Sequence, residues 1–315
     1  MTTLPPIALG TWSWGTGFAG GDTVFGNHLS DTQMAEVFTT AMSKGLNLWD
    51  TAAVYGMGSS EAALGSLVRQ FSRENMMLST KFTPQIANEQ SAQPVSEMLE
   101  ASLGRLGVEA IDIYWIHNPL DVEKWTPGLI PLLQSGKVKH VGVSNHNLAQ
   151  IRRANEILNA SGYSISAVQN HYSLLYRASE EAGILDYCRQ NNITFFAYMV
   201  LEQGALSGRY DSTHPMPAGS GRAESYNAML PQIERLTAAM KRMGAERRAS
   251  VAQIAIAWAI AKGTLPLIGA TKVHHVLDAA SAAEIQLGAD DITLLEQLAT
   301  EIDVDTRGAW EKPMV

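Results

Sequence analysis

Four residues, each at or just past the end of an apolar run, carry the clearest chemistry in the chain: Asp50, Tyr55, Lys81 and His117. A phenol with a pKa near ~10 is a poor acid at neutral pH unless its anion is stabilised. A neighbouring ammonium does this by direct charge interaction and so lowers the phenol's pKa. A carboxylate paired with the lysine positions it without neutralising the phenol. A histidine beside the phenol orients a carbonyl or passes a proton. Together the four make a proton donor aimed at a carbonyl oxygen.

Strands must deliver these residues to one place. The apolar run 46–49 ends in Asp50, 76–80 in Lys81 and 111–116 in His117. Residues 141–143 run into Ser144-Asn145, and 167–168 into Gln169-Asn170. With 7–12 and the runs ending near Tyr198 and Gly269, eight candidate strands emerge. Helix-like segments lie between them at 32–44, 59–70, 94–106, 125–135, 147–160, 179–190, 226–243 and 250–262. Two more, 272–283 and 290–302, follow the last strand. In 94–106, Val95, Met98, Leu99, Leu103 and Leu106 share one helical face, with Pro94 at the first turn and Gly107 as a stop. Strands separated by single helices are parallel, because an antiparallel pair needs only a hairpin. The expectation is an α/β fold: one (β/α)8 TIM barrel domain over 1–315, with an extra C-terminal helix and tail. The strand ends of such a barrel converge on one face, where barrel enzymes place their chemistry. Any one polar strand end has a plainer explanation, a terminus meeting water. Five consecutive ones strain it.

Composition removes several classes. The 23 basic and 31 acidic residues give a net charge of −8, so neither nucleic acid nor an anionic membrane is attracted over distance. No stretch of about 18 uncharged apolar residues is present. Residues 1–6 lack a basic region followed by an apolar core, so no secretory signal is read and a cytoplasmic location is expected. The lone cysteine, Cys188, excludes an internal disulfide and reads as an inert thiol in an amphipathic helix. No metal site is expected. There is no H-x-H, and the adjacent His274 and His275 do not face each other on a helix, while His28, His140, His146, His171 and His214 are isolated. Gly15, Gly17 and Gly20 spell G-x-G-x-x-G, but the first helical pattern waits until about Thr32, so they read as a flexible loop over the barrel mouth. None of the nine tyrosines has a lysine four residues away, which removes the short-chain dehydrogenase pairing.

On these motifs the sequence resembles the aldo-keto reductase superfamily. Asp50-Thr51-Ala52-Ala53-Val54-Tyr55-Gly56 matches the family's aspartate-to-tyrosine segment. Ser79-Thr80-Lys81 and Trp115-Ile116-His117 match the segments carrying the other two members of the tetrad. The likeness runs from Leu9-Gly10-Thr11-Trp12 to the tail. It implies reduction of a small-molecule aldehyde or ketone by NADPH, with Tyr55 as proton donor, Lys81 and His117 tuning it, and Asp50 holding Lys81. It also implies cofactor contacts along the barrel mouth. Gly10, Thr11, Trp12 and Asp50 belong to the first two strands; Ser144, Asn145 and Gln169 would fix the nicotinamide amide, and Tyr198 would stack on its ring. Met199, Val200, Leu201 and Gln203 follow strand seven, with Arg209 and Arg222 beyond them. Gly269, Thr271, Lys272, His275 and Asp278 resemble the adenosine-phosphate clamp. Trp12 and Trp310, with Tyr55 and His117, are candidate substrate walls, Trp14 less so.

Two departures bear on the cofactor. Met199-Val200-Leu201 stands where the family usually has Ser-Pro-Leu, so a serine hydroxyl contact is lost. His275 and Ala279 replace an arginine or glutamine and an asparagine of the clamp. Lys272 remains as a cation for a 2′-phosphate, or as an ordinary solvated lysine, and His275 would add a contact that strengthens on protonation near pH ~6.5. The same tetrad would also serve a nicotinamide-binding, redox-sensing regulatory protein with slow turnover.

Overall fold

Eight apolar runs pair edge to edge, all parallel and in chain order, and the last closes on the first. They are β1 (Ala8–Gly10), β2 (Leu48–Asp50), β3 (Met77–Phe82), β4 (Ile111–Ile116), β5 (Val138–Ser144), β6 (Ala167–His171), β7 (Thr194–Tyr198) and β8 (Leu265–Gly269). The result is a (β/α)8 barrel. This computed structural model describes residues 4–315; of the stretch read for a signal, residues 1–3 lie outside it.

Side chains alternate between the two faces of a strand, and the barrel uses that period to sort its residues. Ala8, Leu48, Ile113, Trp115, Ala167, Phe196 and Leu265 pack into one small cluster. The alternate positions Leu9, Trp49, Tyr114, Val168 and Ala197 join the large cluster formed with the helices. Two residues on from the small cluster, on the same face, stand Gly10, Asp50, His117, Gln169 and Tyr198. The strand register sets Gly10 beside Asp50 and Asp50 beside Ser79, while Ser144 pairs with Gln169. An apolar plug therefore fills the barrel and polar residues cap it.

Helices α1 (Asp31–Ser43), α2 (Ser59–Val68), α3 (Pro94–Leu106), α4 (Ile130–Gln134), α5 (Leu148–Asn159) and α6 (Ile184–Gln190) connect the first seven strands. Between β7 and β8 lie α7 (Leu230–Arg247) and α8 (Val251–Ala261); α9 (Val273–Ala282) and α10 (Ala289–Ile302) follow β8. Capping boxes start α1, α5 and α8, at Ser30/Gln33, Asn147/Gln150 and Ser250/Gln253. Several helices are shorter than the hydrophobic pattern suggests. The segment 125–135 breaks into turns around Pro127 and Pro131, and 179–190 is split by Gly183 at φ 75°. The segment 226–243 is displaced in the same way: Gly221–Tyr226 is a short separate helix, and α7 begins at Leu230 with Pro231 in its first turn.

The glycine loop also differs from expectation. A single-turn helix, Gly21–Val24, precedes α1, and the loop before it is tied down. Gly17 donates to Asp22 at 2.9 Å, and a Cβ on Gly21 would meet the Ser13 carbonyl oxygen at 2.2 Å. One turn following glycines does not make a dinucleotide-binding βαβ unit, because the full helix α1 does not open at the glycines but only at Asp31. Cys188 is buried, and burial pushes its thiol up to about 12, far from a reactive thiolate. Among the described residues no helix is long and apolar enough to cross a membrane.

Candidate active site

Lys81 is the most unusual residue at the strand ends, a fully buried ammonium. Such a charge persists only when paired and hydrogen-bonded. Lys81 donates to Asp50 Oδ2 and to the Thr51 carbonyl at 2.8 Å. Asp50 in turn accepts from Ser79 at 2.5 Å and from Gln169 Nε2 at 3.3 Å through Oδ1. Burial pulls the lysine's pKa down, but Asp50 and Tyr55 outweigh it and hold Lys81 above the usual lysine value.

Tyr55 reaches this pair from the loop after β2. That loop turns at Gly56, φ 57°, where a Cβ would strike Ser59 Oγ at 2.0 Å and the Thr16 carbonyl oxygen at 2.4 Å. The Lys81 ammonium lies 5.1 Å from the Tyr55 ring centroid. Trp12 stacks on the ring at 5.5 Å, and His117 meets it edge-on at 5.7 Å. The pKa balance corrects the expectation of a lowered phenol. Burial raises it, Lys81 lowers it, Asp50 raises it again, and the net is above 10. Desolvation of the anion is the larger effect here.

His117 follows β4, its amide donating to Phe82 O of β3 at 2.8 Å. Its Nδ1 lies 2.9 Å from Thr83 Oγ1. Burial, with Lys81 adding to it, depresses the imidazole well below 6.5, so the ring is neutral at pH 7. Among the described residues nothing is hydrogen-bonded to Nε2, which remains for a ligand.

These groups open into a cavity of 960 Å³ at the barrel mouth. Its wall contains Gly10, Trp12, Asp50, Tyr55, His117 and Trp310; Ser144, Asn145 and Gln169; and the run 198–201 with Gln203. Arg209, Arg222, Gly269, Thr271, Lys272, His275 and Asp278 form its far end. Two residues singled out in the sequence stand behind the wall. Lys81 touches the cavity only through its partners, and Thr11 is fully buried with its hydroxyl on Ser60 at 2.8 Å. Trp14 is also outside, its indole donating to the Ala270 carbonyl at 2.9 Å.

Several contacts had no signal in the sequence. Thr83 is one; Phe18, Phe25 and the reciprocal amide pair Gln85–Asn118 also line the mouth, away from any strand end. Asn145, at φ 63°, donates to His117 O at 2.9 Å, and its Oδ1 lies 2.6 Å from the Tyr198 hydroxyl oxygen. His171, read as an isolated histidine, is buried between Glu202 and Glu311.

At the far end, Arg209 and Arg222 both lie 5.4 Å from the Tyr210 ring. Among the described residues, Arg222 Nε and Gln203 Oε1 are buried without a hydrogen-bond partner. Lys272 is the N-cap of α9 and makes no side-chain capping bond. The expectation for His275 is corrected. Its Nδ1 accepts from Thr271 N at 3.3 Å, and burial with His274, Lys272 and Arg209 lowers its pKa to about 4. It carries no charge near pH 6.5.

Known proteins resemble this chain along nearly its whole length. The profile described as Aldo/keto reductase family matches residues 6–300. The chloroplastic pyridoxal reductase of Arabidopsis thaliana is 31% identical, over 95% of this chain and 84% of that protein. The NADP(+) aldo-keto reductase yakc of Schizosaccharomyces pombe is 29% identical over 90% and 86%. An aldo-keto reductase from Klebsiella pneumoniae, solved with NADPH, superposes with a TM-score of 0.72 at 25% identity, covering 94% of this chain and 91% of that one. With the match spanning every strand of the barrel, the chain belongs to the aldo/keto reductase family.

Proposed function

We propose that this protein reduces an aldehyde or ketone to the alcohol with NADPH, Tyr55 giving the proton. The observation that carries the reading is the placement of Tyr55 between a buried ammonium and a neutral imidazole, at the edge of a large cavity. The cavity's far end fits the cofactor's phosphates. It offers Arg209, Lys272, the free amides of the α9 N-terminus and an orphaned Arg222 Nε. Bound there, NADPH supplies the hydride.

The chain's own residues do the rest. The Tyr55 phenol, held above 10, keeps its proton throughout the neutral range and is always loaded as a donor. Lys81 stabilises the phenolate left after transfer, and Asp50 keeps the ammonium in place. His117, neutral and fixed through Nδ1, offers Nε2 to the carbonyl oxygen. Ser144, Asn145 and Gln169 offer side-chain amide and hydroxyl groups to the nicotinamide amide, and Tyr198 offers its ring. Trp12, Phe25 and Trp310 exclude water from the reacting atoms.

The test is NADPH consumption with a panel of aldehydes, ketones and sugars. Pyridoxal belongs in the panel because a relative is named for it. Steady multiple turnover with any of them supports an enzyme. Binding of NADPH with at most one turnover overturns this reading in favour of a redox-sensing protein.

A further inference from the structure

The C-terminal tail, residues 303–315, crosses the ends of β6 and β7 and is held there by side chains from both. The Met314 thioether lies 3.6 Å from Asn170 Nδ2 and is buried. Thr306 donates to Glu202 at 3.2 Å. Trp310 lines the cavity, and its indole donates to Tyr198 OH at 3.3 Å. Glu311 is the centre of the attachment. Its buried carboxylate accepts from Tyr198 OH at 2.5 Å, from Gly308 N at 3.1 Å and from His171 Nδ1 at 3.0 Å.

His171 donates on its other side, through Nε2, to Glu202 at 2.9 Å. Glu202 is fully buried and also accepts from Tyr226 at 2.6 Å and from Ser173. A neutral imidazole has one N–H and could satisfy only one of the two glutamates; the imidazolium satisfies both. Burial works against that charge, but Glu202 and Glu311 prevail and raise the pKa to about 9. Tyr176 and Tyr198 stack on the ring at 4.3 and 5.6 Å. The other charged groups on this side are Glu181 and the Asp305–Arg307 ion pair.

We propose that Glu311 is a positioning residue. Gripped by His171, it locks the tail to the Tyr198 hydroxyl, so that the Trp310 wall of the substrate site and the Tyr198 shelf are set as one unit. The tetrad needs none of this for proton transfer. The tail, however, is anchored to the barrel mouth mainly by groups that meet at Glu311 and Glu202. Without the lock, Trp310 loses its fixed place beside Trp12, 5.7 Å away, and a bound carbonyl compound loses one wall. The consequence for substrate rests on the function proposed above; the locking of the tail does not.

The test is Glu311→Gln, which keeps the size and removes the charge. The KM for the carbonyl substrate should rise about tenfold, the scale of one charge-assisted hydrogen bond, while kcat changes less than about threefold. Trp310 is 43% exposed in the locked tail; its emission, isolated by subtracting the same protein carrying Trp310→Phe, should shift further to the red as it leaves Trp12 and Tyr198. Glu311→Asp should recover part of both effects. In the wild type the same emission change should accompany a rise from about pH 7 to about pH 9.5, as His171 loses its proton, and should be missing in Glu311→Gln. Unchanged emission in the variant overturns the proposal, as does changed emission with KM unmoved. Should Glu311→Gln fail to fold, the wild-type titration decides, and a flat emission overturns it. A wild type without turnover counts against the proposed function, and the emission measurements still decide the lock.

Discussion

Thr83 Oγ1 lies 2.9 Å from Nδ1 of His117, a bond between residues at the ends of neighbouring strands β3 and β4. It fixes which imidazole nitrogen is left for a carbonyl oxygen. Burial and the Lys81 charge keep that ring neutral, well below its ordinary 6.5. The kcat/KM for carbonyl reduction should therefore show no titration near pH 6.5. A group with its pKa depressed on folding contributes stability above its unfolded value, and that contribution is lost as pH falls through and below it. The acid side of the stability profile should thus begin to drop below about pH 6.5. Thr83→Val should lower kcat/KM several-fold, roughly the 1 kcal/mol of a neutral hydrogen bond. A wild-type rate in that variant would show that His117 needs no such hold.

Tyr55→Phe removes one hydroxyl from a ring whose packing against Trp12 and His117 is apolar and edge-on. The ring should stay in place, NADPH should bind with nearly unchanged Kd, and kcat should fall by at least about a hundredfold, the lower range for general acid catalysis. Reduction at the wild-type rate would remove Tyr55 as the acid.

The Lys81–Asp50 pair is buried on both sides, so removing one charge strands the other. Lys81→Met should cost about 3–5 kcal/mol of folding stability, and Asp50→Asn with Lys81→Met should cost less than the single change. Chemical denaturation of the wild type, the two single variants and the double variant measures this. A loss in the double variant equal to the sum of the losses in Lys81→Met and Asp50→Asn would mean that the pair is not coupled.

How much of this was legible along the chain follows from the periods involved. Asp50, Lys81, His117 and Gln169 each end an apolar run, and the two-residue alternation puts them on the same face as Leu48, Ser79, Trp115 and Ala167. That pattern is local, so the strands and the polar residues at their ends could be read from it, while Tyr55 lies beyond β2 and outside the pattern. The boundaries of α6 and α7 could not, because Gly183 and Pro231 interrupt amphipathic patterns that run through them. The His171–Glu311 contact joins residues 140 apart in the chain, and nothing around either residue announces the other. The pKa shifts of Tyr55 and His275 are not legible in the sequence for a related reason. Burial decides both, and burial is a property of the fold.

On the function proposed above, cofactor choice turns on Lys272, at the start of α9. NADPH differs from NADH by a 2′-phosphate, and preference requires a local positive charge with donors. Lys272 is the N-cap of α9 and, among the described residues, makes no side-chain capping bond; it stands next to free amides and a partial positive charge at the helix N-terminus. His275, one turn on, is held neutral by half-burial and by Lys272 and Arg209, with its Nδ1 engaged by Thr271 N. Lys272→Ala should therefore raise the KM for NADPH about tenfold, roughly 1–3 kcal/mol for one charge-assisted bond, and leave the KM for NADH nearly unchanged. With a histidine pKa of about 4, the ratio of the two KM values should stay flat between about pH 8 and about pH 6.5. A ratio that climbs across that window would show that His275 takes up its proton there and shares the phosphate. Equal losses with both cofactors in Lys272→Ala would show that Lys272 is not the 2′-phosphate's partner.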